Sequence, residues 1–147
     1  MSIFSTTAFR VGELTTLTPK GKILYVGGSG EGNYSNIQEA IKNANSGDTV
    51  FVYSGTYYEN HILVDKTLTL IGEDKYTTII DGDYGGDILY INADNVYLSG
   101  FTFQRTEGIN TEAIHQSHCN NSMITQITLY NQLERMAYGS LEHITIL

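Results

Sequence analysis

The stretch that decides the fold runs from Ser46 to Asp83 and reads SGDTVFVYSGTYYENHILVDKTLTLIGEDKYTTIIDGD. It contains short apolar runs rich in β-branched and aromatic residues, and each run ends in turn-forming residues such as Gly, Asn, Asp or Ser. Such runs are typical of β-strands. The strand candidates are Val50–Tyr53, Ile62–Val64, Leu68–Ile71 and Thr78–Ile80. No run with helical spacing fits between them, so the stretch predicts consecutive strands joined by tight turns.

The pattern around Leu68 recurs further along the chain. The segments around Leu68, Val96 and Ile124 follow one another at intervals of 28 residues, and a weaker echo around Ile144 follows after 20 more. A regular repeat of roughly 20–50 residues indicates a solenoid, in which each unit buries its apolar face against its neighbours. Because these units contain strands and turns without helices, the sequence predicts a solenoid of strands, which is a β-helix.

Several motifs of this region occur together in a known superfamily. They are YSNIQEAI at 34–41, GDTV at 47–50, GTYYEN at 55–60, LTLIGE at 68–73 and TIIDG at 78–82. They resemble the opening of right-handed parallel β-helix proteins of the pectin-lyase-like superfamily. Within it they are most similar to copper-binding, nitrous-oxide-reductase-maturation-like repeats, which are abundant in archaeal surface proteins. The same opening resembles pectinesterases, which share the fold. The resemblance covers about residues 23–104 and implies an all-β chain that forms a short right-handed parallel β-helix.

The segment before the first coil predicts a helix that caps the solenoid. Ser35 suits an N-cap, Gln38 completes the spacing of a capping box, and Gly47 is placed to end the helix. The residues between them form one apolar stripe, which consists of Ile37, Ala40, Ile41 and Ala44. We expect this α-helical cap, over residues 35–46, to cover the N-terminal end of the β-helix, because the first coil would otherwise expose its core.

The regularity of the strand repeat changes along the chain and suggests how the chain is divided. Residues 23–147 are expected to form one β-helix domain, with regular coils over 48–104 and degenerate coils over 105–147. Residues 1–22 are expected to form a leader or an irregular edge segment, and they lack the features of a signal peptide. Only about four coils fit into this length, so the chain is either a short stack or a piece of a longer one. Its apolar end around Ile144 and Ile146 predicts self-association through an uncovered strand edge.

The charge of the chain excludes several classes of partner. The net charge is −8, from 16 acidic and 8 basic residues. Nucleic acids and anionic membrane surfaces bind clusters of Lys and Arg, so neither is expected as a partner. The sequence contains no apolar run of about 18 residues, so no transmembrane helix is predicted. The single cysteine, Cys119, excludes an internal disulfide.

Two clusters are candidate metal sites. The first lies in the segment DGDYGGD and consists of Asp81, Asp83 and Asp87. Carboxylates are ligands that calcium prefers, and lyases of the superfamily that the chain resembles use aspartates to hold calcium. The second has the form H-x-x-H-C and consists of His115, His118 and Cys119. Imidazole and thiolate suit copper or zinc. The alternatives, a turn between coils and a solvated loop, stay open, and no other cofactor is predicted.

Tyrosines are the candidate ligand-binding residues. The chain has 11 tyrosines and no tryptophan. Those expected to stack on sugar rings from the outer surface are Tyr57, Tyr58, Tyr76, Tyr84 and Tyr97. Aromatic faces on a ridged surface suit such stacking, although outward tyrosines also simply suit strands.

The motifs of the related enzymes are incomplete. A pectinesterase needs two aspartates with a glutamine and an arginine; Phe101–Gln104 resembles the strand that leads to that site, but no Gln-Asp motif follows. We therefore expect a non-catalytic extracellular or cell-surface module that binds polysaccharide or cell-surface glycan, or serves as a structural spacer. The alternatives are a fragment of a carbohydrate-active enzyme, related to pectinesterases or polysaccharide lyases, and a module that binds copper or calcium.

Overall fold

The computed structural model describes residues 21–106 and 111–130, and the backbone of residues 143–146. The first coils are built from β1 (Ile23–Val26), α1 (Ile37–Asn43), β2 (Thr49–Val52), β3 (Gly55–Tyr58) and β4 (Ile62–Val64). The next coil contains β5 (Thr69–Gly72), β6 (Thr78–Asp81) and β7 (Leu89–Ile91). The remaining strands are β8 (Tyr97–Gln104), β9 (Ile114–Gln116), β10 (Met123–Tyr130) and β11 (His143–Ile146).

The strands stack on three faces, which we name the first, second and third faces. The first face contains β1, β2 and β5, followed by the first halves of β8 and β10. The second face contains β3 and β6, followed by the second halves of β8 and β10. The third face contains β4, β7 and β9. All of these pairings are parallel and give about four turns, so the predicted all-β parallel β-helix is confirmed.

One inward column fixes the register of the first face. Val50 pairs with Leu70, Leu70 with Leu98, and Leu98 with Ile124, at steps of 20, 28 and 26 residues. The predicted alignment of Ile124 with Val96 is therefore wrong. The last coil is two residues shorter than the one before it, so Ile124 lies beside Leu98.

The final strand does not continue the solenoid. β11 runs antiparallel to the second half of β10, with Ile146 opposite Ile127 and His143 opposite Tyr130. The predicted last repeat around Ile144 is thus not a further parallel coil. The predicted leader lies outside the described residues, apart from its last two positions.

The helix packs beside β1, β2 and β4 and buries Ile37, Ala40 and Ile41. Its N-cap is Asn36, whose Oδ1 accepts a hydrogen bond from the Glu39 amide at 2.9 Å, so the prediction of Ser35 as the N-cap is wrong. The helix ends at Asn43, before the expected stop at Gly47. Within the described residues, no helix is long and apolar enough to cross a membrane.

Two charged side chains of the first coil hold the helix ends. The Glu59 carboxylate accepts hydrogen bonds from the amides of Ile37 and Gln38, at 2.6 Å and 3.0 Å. Lys66 Nζ donates to the carbonyl oxygens of Ile41 and Ala44, at 3.2 Å and 3.3 Å. A carboxylate at the N-terminus and an ammonium at the C-terminus both complement the helix dipole. The helix is therefore tied to the coil that it covers.

Candidate functional site

Five of the eleven predicted site residues lie in or directly before the turns between the second and third faces. Asp81 ends β6, and the register places it between Tyr58 of the coil before and Gln104 of the coil after. The side chain of Asp81 is nevertheless only 2 % exposed. A buried carboxylate needs hydrogen-bond donors or a positive charge beside it, and the neighbouring coil supplies both.

Asp81 forms an ion pair with Arg105. Asp81 Oδ1 accepts hydrogen bonds from Arg105 Nε at 2.6 Å and from the Asp83 amide at 3.0 Å. Asp81 Oδ2 accepts one from Gln104 Nε2 at 2.7 Å. On the other side, Arg105 Nη1 lies 3.4 Å from Asp83 Oδ1. The guanidinium is therefore shared between two carboxylates, and its charge is already neutralised within the protein.

The surroundings of Asp81 keep it ionised. Burial raises the pKa of its carboxyl, but the hydrogen bonds from Arg105, Gln104 and the Asp83 amide, together with the charge of Arg105, outweigh burial and leave the pKa below its ordinary value. The hydrogen bond to Asp81 is also the main reason why the pKa of Arg105 is raised. Both partners therefore stay charged.

Arg105 lies between two tyrosine rings. Its guanidinium carbon is 5.6 Å from the ring centroid of Tyr58 and 5.5 Å from that of Tyr84, which are cation–π distances. Tyr58 is 68 % exposed and Tyr84 is 44 % exposed. We call Tyr58, Asp81, Asp83, Tyr84 and Arg105 the arginine corner. It joins four predicted site residues with an arginine for which the sequence offered no role.

The other predicted tyrosines lie elsewhere. Tyr57 is buried and its hydroxyl donates to the carbonyl oxygen of Tyr53 at 2.8 Å, so its expected position on the outer surface is wrong. Successive strand residues point to opposite sides, and β3 turns Tyr57 inward and Tyr58 outward. Tyr76 is exposed beside Lys75, and Tyr97 is half-buried on the first face.

Left-handed backbone conformations cluster at these turns. The φ angles of Asp83, Tyr84 and Arg105 are 46°, 61° and 56°, and that of His61 in the neighbouring turn is 55°. Side chains with a Cβ rarely adopt such angles, and they persist only where the surroundings hold them. The Tyr84 amide, which donates to the Arg105 carbonyl oxygen at 2.9 Å, helps to hold this turn.

A second set of side chains forms a row along the third face and the turn that precedes β4. The rings of His61 and Tyr90 stack at a centroid distance of 5.9 Å, and those of Tyr90 and His115 lie 5.6 Å apart. We call these residues the ring row. The interaction of the Tyr90 hydroxyl with the Asp87 carboxylate is the main reason why the pKa of Tyr90 is raised. The Glu112 amide, which donates to Asp87 Oδ1 at 2.6 Å, is the main cause of the lowered pKa of Asp87.

The structure does not bring the predicted metal ligands together. Among residues 21–106 and 111–130, no group of three or more His, Cys, Asp or Glu side chains is placed to hold a metal ion. His118 Nδ1 is 2.8 Å from the hydroxyl of Ser117, and Cys119 Sγ is 3.4 Å from Gln116 Oε1. His115 contacts Glu112 and joins the ring row instead. Calcium and copper binding stay predictions.

The comparisons with known proteins place the fold. No family model matches the sequence, and no curated protein matches it. Among solved structures, the chain is similar to a pectin methylesterase mutant in complex with a hexasaccharide, with a TM-score of 0.60 and 15 % identity over 71 % of this chain. It is also similar to a mutant PL6-family alginate lyase, with a TM-score of 0.39 and 18 % identity over 78 % of this chain.

The matched part of the chain spans 42 % of the pectin methylesterase and 20 % of the alginate lyase. At 15 % identity the first likeness shows the fold alone, which is a parallel β-helix. The relation to copper-binding surface repeats finds no support in these comparisons and stays a prediction.

Proposed function

We propose that this chain is a non-catalytic carbohydrate-binding module whose ligand contacts the arginine corner. The observation that carries the proposal is one guanidinium, locked by the buried Asp81, between the exposed rings of Tyr58 and Tyr84. Aromatic rings offer large apolar faces, which suit the apolar faces of sugars. Rings that are already held in place lose little freedom when a ligand binds, which favours affinity.

The state of Asp81 supports binding rather than catalysis. A catalytic acid, base or nucleophile must reach the reacting atoms of the substrate. Asp81 is ionised, almost fully buried and accepts three hydrogen bonds from the protein. We therefore expect no release of methanol from pectin and no cleavage of polygalacturonate, with or without calcium. Turnover above background would favour the alternative of a fragment of a carbohydrate-active enzyme.

We place this module outside the cell or at the cell surface, where polysaccharides and cell-surface glycans are presented. The pectin methylesterase with a similar fold was solved with a hexasaccharide, so an oligosaccharide of that length is a suitable first probe.

The decisive experiment is a glycan-array screen followed by calorimetric titration of the best hexasaccharide. Tyr58→Ala and Tyr84→Ala should each weaken binding by about 3- to 10-fold, since an aromatic contact contributes ~0.5–1.5 kcal/mol and a tenfold change corresponds to ~1.4 kcal/mol. The matched control is Tyr76→Ala. Tyr76 is also exposed, at 61 %, but it lies beside Lys75 and outside the arginine corner. The proposal fails if no glycan binds, or if all three variants weaken binding equally.

A further inference from the structure

We propose that the ring row of His61, Tyr90 and His115 selects the ligand, and that it favours neutral, hydroxyl-rich sugars over uronates. This inference rests on the proposed function, because it assumes that a glycan binds at the neighbouring arginine corner. It follows from which atoms of the row hold protons.

Asn60 fixes the proton of His61. Asn60 Nδ2 donates to the carbonyl oxygen of Gly82 at 3.1 Å, which sets the orientation of the amide. Asn60 Oδ1 then faces His61 Nδ1 at 2.8 Å. An amide oxygen can only accept a hydrogen bond, so Nδ1 of His61 carries the proton and Nε2 of the neutral ring is an acceptor.

The ring of Tyr90 lies beside both imidazoles, 5.9 Å from that of His61 and 5.6 Å from that of His115. The His115 ring is arranged in the same way as that of His61. His115 Nδ1 lies 3.3 Å from Glu112 Oε2. A carboxylate beside Nδ1 favours the proton on that nitrogen and leaves Nε2 of His115 as an acceptor.

The row therefore offers an acceptor nitrogen on each of its two imidazole rings. A sugar hydroxyl can donate to such an atom, whereas a uronate carboxylate brings only acceptors. The uronate would also place its negative charge near Asp87 and Glu112. The charge of Arg105 does not compensate for this, because Asp81 and Asp83 already neutralise it.

The geometry keeps the ring row open and continuous with the arginine corner. Asn60 contacts His61 on one side and Gly82, the neighbour of Asp83, on the other. A Cβ on Gly85 would lie 2.1 Å from Asn60 Nδ2, and a Cβ on Gly86 would approach His61 Nε2 to 3.9 Å. A ligand that covers the corner can thus reach the row across the turn that carries Gly85 and Gly86.

The test compares two ligand classes by calorimetry at pH 8, where imidazole side chains are in general neutral. Hexasaccharides of glucose, mannose, xylose or galactose are titrated beside the hexasaccharide of galacturonate. We expect the best neutral ligand to bind at least about tenfold more tightly than the uronate. His61→Phe and His115→Phe keep a ring and remove the acceptor, and each should weaken neutral binding by about 3- to 10-fold. His118→Phe is the control, because His118 lies outside the row.

The outcomes separate this inference from the function on which it rests. If neither ligand class binds, the proposed function fails and the inference fails with it. If binding depends on Tyr58 but the uronate binds as tightly as the neutral sugars, the inference is wrong and the proposed function stands. The same holds if His61→Phe and His115→Phe bind like His118→Phe. Should a phenylalanine variant fail to fold, the ratio of the two affinities for the unmodified chain still decides.

Discussion

Replacement of Glu59 by alanine should loosen the helix that covers the first coil. The Glu59 carboxylate accepts hydrogen bonds from the backbone amides of Ile37 and Gln38, and the Asn36 side chain accepts one from the amide of Glu39. These are amides at the helix N-terminus that have no partner within the helix. The helix has seven residues, about half the length at which an isolated helix is even marginal in water. Its stability must therefore come from such contacts and from buried side chains.

The expected loss follows from the two hydrogen bonds. A hydrogen bond to a charged group contributes ~1.5–3 kcal/mol, and a carboxylate at a helix N-terminus adds ~0.3–1 kcal/mol. Both bonds share one half-buried carboxylate, so they do not add fully. We expect Glu59→Ala to lower the free energy of unfolding by about 2–3 kcal/mol. Glu59→Gln keeps one acceptor oxygen, so its loss should be about half as large.

Urea denaturation followed by circular dichroism and tyrosine fluorescence measures this loss, since the chain has 11 tyrosines and no tryptophan. Glu31→Ala is the matched control, because it removes the same charge from an exposed loop. If Glu59→Ala and Glu31→Ala unfold at the same urea concentration, Glu59 does not hold the helix and the reasoning is refuted.

Three further predictions concern the core, the ion pair and the last strand. Ile41→Asp should cost several kcal/mol, because it places a carboxylate without a partner against the first coil; a melting temperature equal to that of the unmodified protein would contradict this. Asp81→Asn should cost about 2–3 kcal/mol at pH 7. Because the pKa of Asp81 is lowered in the folded protein, its ionised carboxylate stabilises the fold at pH values above its unfolded-state pKa of about 3.9. The difference in urea midpoint between the unmodified protein and Asp81→Asn should therefore narrow as the pH falls below about 4. A difference that stays constant would count against the ion pair. Among the described strands, β11 lies at the edge of its sheet, so we expect self-association that decreases when Ile144 and Ile146 are replaced by lysine. Sedimentation that shows a monomer at every concentration would disprove it.

The fold could be predicted from local patterns because every coil of a solenoid repeats the same pattern of short strands and turns. Short β-branched runs and tight turns between Ser46 and Asp83 are sufficient to indicate stacked coils. The register was harder, because it depends on how many residues each turn contains. The first face advances by 28 residues between Leu70 and Leu98, whereas the second face advances by only 23 between Ile80 and Phe103. One offset therefore cannot describe all faces.

This difference between the faces explains why the arginine corner was only half predicted. Asp81, Asp83 and Tyr84 are close together in the sequence, so the acidic turn could be recognised from the sequence alone. Their partners Gln104 and Arg105 lie on the next coil, 23 and 24 residues after Asp81. Only the register of the second face brings them to the carboxylate. His61 and Tyr90 were missed for the same reason, since their contact joins two coils of the third face.

The ion pair of Asp81 and Arg105 balances charge and also stabilises the strained backbone of the turns beside it. Each left-handed residue with a Cβ costs roughly 1–2 kcal/mol, and Asp83, Tyr84 and Arg105 all adopt this conformation. The buried carboxylate of Asp81 binds the Asp83 amide and the Arg105 side chain at once, so it offsets the strain at both ends of the corner. Because two carboxylates already balance its charge, an arginine held in this way attracts an acidic ligand less strongly than a free arginine would. Its effect on a ligand is exerted through the two tyrosine rings that it keeps in place, which is why the selection between sugars is assigned to the ring row.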